Sequence, residues 1–321
     1  MPSENLLARE STASARGSSE RVLRVGILGA SGIGRIHARE LRRAGAEVVA
    51  ILGSSDRSAQ RTAGMLEADF GIEAQPFTKL EELLALPLDA VVVATPHELH
   101  FDQIVRALET DKLVFCEKPL FWEPGLDRNG LERRLSRLEE LGARSKLGLN
   151  VGNVEFLRAV RQTDSSPVQR LGFRFYTNGP HIDEAIGVDL LPHALSLLVD
   201  LDPGGDDAEI EGLTKIVMQK SFQCRFRWKG IECEVDLRED PDGPKALAFR
   251  IEDAWYERVA HVTEGEYRAY VRGEDLPERE VQDPFRVFLD DFVHSSLRGD
   301  GYRAGFDQAA RIQRMMFEVL A

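Results

Sequence analysis

Gly26-Ile27-Leu28-Gly29-Ala30-Ser31-Gly32-Ile33-Gly34 is the stretch on which the fold turns. It closes an apolar run that begins at Arg24 and opens a helical segment running through His37 to Ala44, so it joins a strand to a helix. Glycine at 29 permits a tight turn and glycine at 34 a close approach of helix to strand. The free N–H groups and partial positive charge at the start of such a helix suit a pyrophosphate. The middle glycine of the G-x-G-x-x-G pattern is Ser31 here, with Gly32 beside it to keep the backbone open. Gly29, Ser31, Gly32, Ile33 and Gly34 are therefore candidate cofactor contacts. A glycine-rich turn alone can be only a turn, and it is the βαβ setting that makes this one a dinucleotide site.

Working outward, EVVAILG and a helix from Ser58 to about Phe70 come next, then a short strand near Gln75 to Phe77 and the helix TKLEELLAL. The strand DAVVVATP, the helix LHFDQIVRALET, the strand KLVFCEKP, a charged helix from Gly130 to Leu141 and the strand KLGLN carry the pattern to Asn150. Strands that are continuously apolar are covered on both faces, which predicts a parallel sheet between helices. Beyond Asn150 the pattern changes to the helix VEFLRAVRQ, the strand RLGFRFYT, a loop and a helix opening around Asp189. The runs TKIVMQK, FQCRFRWKG, IECEVDLRE, ALAFRIED, WYERVAHV and EYRAYVRG then alternate apolar with polar residues between short turns, as strands of an antiparallel sheet do. Two helices, PFRVFLDDFVHSSLRG and AGFDQAARIQRMMFEVLA, end the sequence. The expected class is α/β. A flexible tail covers residues 1–20 and a Rossmann dinucleotide-binding domain residues 21–150. Residues 151–321 form an α+β domain with an open, mainly antiparallel sheet, whose final helices are candidates to pack back on the first domain.

Composition narrows the function. A hydrophobic fraction of 43% and a charged fraction of 30% belong to a globular chain with a packed core. A net charge of -13, with no basic stripe, repels a phosphate backbone, so nucleic acid is not an expected partner. Cys116, Cys224 and Cys233 form no C-x-x-C pair, which fits a reducing compartment, and no metal site is expected. The first 20 residues lack the apolar core of a secretory signal, and no window approaches the roughly 20 apolar residues that span a bilayer. A cytoplasmic protein without membrane partners is the expectation.

After the second strand, Gly53-Ser54-Ser55-Asp56-Arg57 occupies the place where an acidic residue usually meets the ribose of NAD. The hydroxyls of Ser54 and Ser55 and the guanidinium fork of Arg57 suit a 2'-phosphate, which favours NADP; Asp56, shifted by two residues, keeps NAD open.

Two further segments, Ala94-Thr95-Pro96-His97-Glu98-Leu99-His100 and Cys116-Glu117-Lys118-Pro119-Leu120, end the fourth and fifth strands. With the glycine turn and His37, they make residues 24 to 125 resemble the Gfo/Idh/MocA family of sugar and inositol oxidoreductases. The resemblance implies that Lys118 reaches the nicotinamide and the substrate oxygen, and that Pro119 follows a cis peptide. It adds Thr95, Pro96, His97, His100 and Glu117 to the cofactor side. Gly187-Val188-Asp189-Leu190-Leu191-Pro192-His193 resembles the family's D-x-x-x-H element, which would make His193 the proton-transferring group. The sequence departs from the family's pattern at Leu197, where an aspartate is common, after Asn150, where an arginine is frequent, and at Pro192. The resemblance also implies a homodimer or homotetramer through the open sheet.

The chemistry supports these roles independently. Hydride transfer at a carbon bearing oxygen makes or consumes an alkoxide, so a proton donor must stand by that oxygen. Lys118 at the end of a parallel strand can stabilise the negative charge, His193 can exchange the proton, and Asp189, one helical turn earlier, can orient the imidazole. Pro192 is accommodated if the helix begins near Asp189, which would then be its N-cap. His181 in NGPHIDE and Asn150 are candidate substrate contacts, whereas His261 and His294 read as surface or packing residues. The expected activity is an NADP(H)-dependent oxidoreductase acting on a small sugar, polyol or sugar derivative. An imine or tetrapyrrole reductase on the same fold and a non-catalytic NADP sensor are the competing readings.

Overall fold

The computed structural model describes residues 21–162, 166–263 and 266–321; the tail expected over residues 1–20 lies outside them. The first half alternates strands and helices: β1 (Arg24–Leu28), α1 (Ile33–Arg43), β2 (Glu47–Leu52), α2 (Asp56–Phe70), β3 (Gln75–Phe77), α3 (Leu80–Leu84) and β4 (Ala90–Val93). After a short 3-10 turn at His97–Leu99 come α4 (His100–Glu109), β5 (Leu113–Cys116), α5 (Arg128–Glu140), α6 (Ala143–Lys146) and β6 (Leu147–Leu149). All pairings in this sheet are parallel, in the order β3-β2-β1-β4-β5-β6. Val25, Ile27, Val91, Val92 and Val114 are fully buried, as expected for strands covered on both faces. The chain leaves β1 in one direction and returns to its other side with β4. The crevice at this switch point brings the turn after β1 beside the turn after β4.

The second half opens with α7 (Val154–Arg161), β7 (Arg170–Thr177) and α8 (Glu184–Leu201). There follow β8 (Glu211–Met218), β9 (Ser221–Trp228), β10 (Ile231–Glu239), β11 (Ala246–Ile251), β12 (Ala254–Thr263), β13 (Glu266–Gly273) and β14 (Arg279–Val281). They form one sheet in the order β14-β13-β12-β11-β7-β10-β9-β8, antiparallel except where β10 runs parallel to β7. One face packs on α8, as the alternating burial of β10 requires. The short β14 and α6 have no counterpart in the sequence reading; each is too brief to leave a periodic signal.

The helix expected to open at Asp189 begins instead at Glu184, with Asp183 at the N-cap position but making no side-chain cap bond, so Asp189 is not its N-cap. Pro192 lies inside it. Its ring removes the N–H that would pair with the Val188 carbonyl, a change that costs about 3 kcal/mol in an exposed helix. Here the helix continues because Ile186, Leu190, Leu191, Leu195 and Leu198 are buried, and each full burial contributes roughly 1.5–3 kcal/mol.

The final helices, α9 (Pro284–Arg298) and α10 (Phe306–Leu320), return to the first half. α9 packs on α1, with Phe292 centred 5.3 Å from Phe115 of β5. α10 packs on α8 and on α5, where Arg314 pairs with Glu132 at 2.9 Å. Among the described residues no helix is long and apolar enough to cross a membrane.

Candidate active site

The turn between β1 and α1 is built around backbone contacts. Gly29 has φ +84°, and a Cβ there would fall 2.6 Å from the Ala94 carbonyl oxygen; a Cβ on Gly34 would fall 2.1 Å from the Gly29 oxygen. Neither position admits a side chain. A Cβ on Gly32 would meet nothing within 4 Å, and α1 begins with no side-chain cap and no acidic residue in its first turn. An open backbone beside an uncapped helix N-terminus fits a pyrophosphate. At the end of β2, Ser54, Ser55 and Arg57 are exposed; Ser55 caps α2 by accepting the Ser58 N–H at 3.3 Å, and Asp56 accepts the Thr78 hydroxyl at 3.2 Å.

Beside this turn lies a cavity of about 580 Å³ between the two halves of the chain. Of the residues singled out in the sequence, Ile33, Thr95, Pro96, His97, Glu117, Lys118, Asn150, His181, Asp189 and His193 line it. His100 does not. It is buried, and its ring nitrogens lie 2.9 Å from the Pro119 carbonyl and 2.8 Å from the Thr95 carbonyl. The cofactor contact expected of His100 is therefore corrected: it ties together the two loops that carry Thr95 and Lys118. His261 and His294 are exposed and are not among the residues that line the cavity.

Lys118 is the centre of the cavity's polar floor. Its ammonium donates to Asp189 Oδ1 at 2.7 Å and to the Asp189 carbonyl at 2.9 Å, one turn before Pro192, and the Lys118–Pro119 peptide is cis. Burial works to raise the Asp189 pKa, but the Lys118 charge and hydrogen bond hold it down to about 2. Glu117 is buried behind Lys118. It accepts from Asn150 Nδ2 at 2.7 Å and pairs with His37 Nε2 at 2.6 Å. Burial would push its carboxyl up; His37, Lys118 and Asn150 outweigh that and hold it at about 2. Asn150, expected to touch substrate, thus also holds Glu117. His193 stands edge-on to Phe175, with centroids 5.1 Å apart, and its Nδ1 is buried without a partner. Burial first and Lys118 second push its pKa down to about 3, so the free protein holds His193 neutral rather than poised near pH 7. Leu197, the departure from the family's aspartate, is buried in the core.

The sequence reading missed Glu239, Arg258, Tyr267 and Phe285. Arg258 of β12, Tyr267 of β13 and Phe285 of α9 close the cavity from the far side. Glu239 ends β10 with a buried carboxylate that accepts the His181 backbone N–H at 2.9 Å. The acidic residue in IECEVDLRE, at an inward position of an alternating strand, was the one available signal for Glu239.

The parallel sheet, its glycine turn and a cavity at the carboxyl ends of its strands define a dinucleotide-binding α/β protein with an appended sheet domain. Residues 23–129, about a third of the chain, match the model of the oxidoreductase family with an NAD-binding Rossmann fold, Gfo/Idh/MocA. Inositol 2-dehydrogenase of Rhizobium meliloti (strain 1021) is 33% identical over 129 residues, which are 40% of this chain and 36% of that protein. Inositol 2-dehydrogenase of Corynebacterium glutamicum (strain R) is 39% identical over 101 residues, 30% of this chain and 28% of the relative. The chain thus matches about a third of the length of these relatives. The whole fold is shared more widely. KijD10, a 3-ketoreductase from Actinomadura kijaniata solved with NADP, superposes with a TM-score of 0.71 at 19% identity, over 93% of this chain and 97% of that one. UDP-N-acetylglucosamine 3-dehydrogenase GnnA from Acidithiobacillus ferrooxidans gives a TM-score of 0.67 at 19% identity, over the same shares.

Proposed function

We propose that this chain is an oxidoreductase that moves a hydride between a nicotinamide dinucleotide, with NADP(H) preferred, and a hydroxyl-bearing or keto carbon of a sugar, polyol or sugar derivative. The observation that carries the reading is the Lys118–Asp189 ion pair, 2.7 Å long, in the cavity that Ile33 of the glycine turn also lines. The likeness to inositol 2-dehydrogenases and to a 3-ketoreductase supports the substrate class.

A bound nicotinamide dinucleotide supplies or removes the hydride. Gly32 and the start of α1 would hold its pyrophosphate, and Ser54, Ser55 and Arg57 would favour a 2'-phosphate because none of them carries negative charge and a guanidinium matches phosphate geometry. Lys118, paired with Asp189, donates to the substrate oxygen and stabilises its developing charge. Neutral His193 hydrogen-bonds a neighbouring substrate hydroxyl and orients the carbon. Phe175 and Phe285 exclude water, which strengthens these interactions. Buried, unpaired Cys116, Cys224 and Cys233 suit work in a reducing compartment, the cytoplasm.

A panel of keto and hydroxy sugars followed by NADPH absorbance tests the activity. Lys118→Ala is expected to bind NADPH with unchanged fluorescence while turnover falls by about 10² or more, the usual contribution of a positioned proton donor. Full activity in that variant would remove Lys118 from the mechanism, and binding without turnover in the unaltered protein would favour a sensor. Arg57→Ala should weaken NADPH binding by about tenfold to a hundredfold, the worth of a charge-assisted bond of roughly 1.5–3 kcal/mol, and spare NADH. Equal losses for both cofactors would refute 2'-phosphate recognition.

A further inference from the structure

Behind Lys118, three ionisable groups from three separate elements converge. Asp189 comes from α8, Glu239 from the end of β10 and His181 from the loop between β7 and α8. Asp189 hydrogen-bonds Glu239, and its Oδ2 lies 3.9 Å from His181 Nδ1. His181 Nδ1 in turn lies 3.0 Å from Glu239 Oε2. The loop is laid directly over the carboxylate, since a Cβ on Gly179 would fall 2.0 Å from Glu239 Oε2. The Asp189 side chain is 31% exposed, that of Glu239 0% and that of His181 39%, so the sealed carboxyl lies between two groups that water reaches. A hydrogen-bonded path therefore leads from Asp189 on the cavity floor through a sealed carboxyl to the His181 imidazole, which also lines the cavity and is open to water.

Two carboxyl groups in contact disfavour each other's ionisation. Burial, with Asp189 adding to it, raises Glu239, whereas Lys118 holds Asp189 down, so Glu239 is the carboxyl of the two that takes up a proton more readily. The other groups facing the series are His97 and Glu98 after β4, Glu117 beside Lys118, His193 on α8 and Arg258 on β12. None offers the same route. His193 has a buried, unbonded Nδ1, Glu117 is occupied by His37 and Asn150, and His97 Nε2 lies 3.4 Å from Glu98.

We infer that Lys118, Asp189, Glu239 and His181 form a proton relay between the substrate oxygen and solvent. This rests on the oxidoreductase reading above. In the reducing direction the carbonyl carbon receives a hydride, with its electron pair, from the reduced nicotinamide. The C=O π pair moves to oxygen, and that oxygen forms an O–H bond as one N–H bond of the Lys118 ammonium breaks. The Lys118 amine regains a proton that passes from Glu239 through Asp189. Glu239 regains one from the His181 imidazolium, and His181 takes one from water. Oxidation runs the same transfers backwards.

The full chain tests this with two variants. His181→Ala is expected to lower kcat by about tenfold or more, within the range of a proton-transfer group, and added imidazole should restore it by occupying the vacated site. Glu239→Gln keeps the shape and the hydrogen bond to the His181 N–H but cannot pass the proton. Its kcat should fall with a larger solvent deuterium effect, a flattened pH profile and no rescue by imidazole, while NADPH binding and the circular dichroism spectrum stay unchanged. Wild-type pH profiles and isotope effects in both variants would overturn the relay and leave the oxidoreductase reading standing. A His181→Ala defect that imidazole does not restore would make His181 a packing residue and also overturn it. Loss of wild-type activity to EDTA, with recovery on adding zinc, would show that the three groups hold a metal instead. If the unaltered protein oxidises NADPH with no carbonyl compound, the reading itself fails and the relay falls with it.

Discussion

Glu117 shows how a single buried charge links stability to the site. Its carboxyl is held at about 2 against an ordinary 4.5, because His37, Lys118 and Asn150 together outweigh the burial that would raise it. A carboxyl depressed on folding stabilises the native state above its unfolded pKa, and that stabilisation disappears as pH falls from about 4.5 towards 2. The depression corresponds to about 3 kcal/mol for a fully buried group. Glu117→Gln should therefore be less stable than the unaltered protein at pH 7 and should lose less on acidification, so that urea midpoints of the two converge between pH 5 and 3. Parallel midpoints across that range would show that the charge on Glu117 contributes nothing. The sequence named Glu117 by its motif but gave no hint of His37 as its partner, because residues 80 apart meet only through the β1–β4 switch.

At the scale of the element, the strand–turn–helix from β1 to α1 was legible because its constraints are local. Gly29 and Gly34, five residues apart, oppose each other, and the glycine spacing reports that contact directly. A methyl group on Gly34 would collide with backbone rather than with a side chain that can rotate away. Gly34→Ala is therefore expected to cost about 1–3 kcal/mol, the range for forced overpacking, and to weaken dinucleotide binding at least tenfold by opening the turn. Thermal melting and fluorescence titration check the two effects, and an unchanged melting temperature would mean that the turn relaxes freely. α8 was less legible. A local rule about proline moved its start to Asp189, but tertiary burial of the leucine-rich face overrode that rule.

For the whole molecule, periodicity exposed both sheets and nearly all their strands, since continuous and alternating apolar runs demand different surroundings. The far wall of the cavity was hidden, because Arg258, Tyr267 and Phe285 reach it through long-range packing of the β12–β13 hairpin and α9. One large surface remains unpartnered within the chain. The sheet face opposite α8 exposes Ile216 at 58%, Met218 at 53% and Trp255 at 38%. Arg174 stacks 4.7 Å from the Trp255 ring and Arg238 4.5 Å from that of Tyr176. Tryptophan, tyrosine and arginine are the residues that dominate protein interfaces, and a self-complementary face closes most simply by two-fold symmetry. We propose that this face joins copies of the chain into a dimer or tetramer. Sedimentation equilibrium should give an assembly of two or four chains, and Ile216→Asp combined with Met218→Asp should dissociate it, since a buried unpaired carboxylate in each copy opposes association. A monomer at tens of micromolar for the unaltered protein, or an assembly indifferent to both substitutions, would exclude this face as the interface.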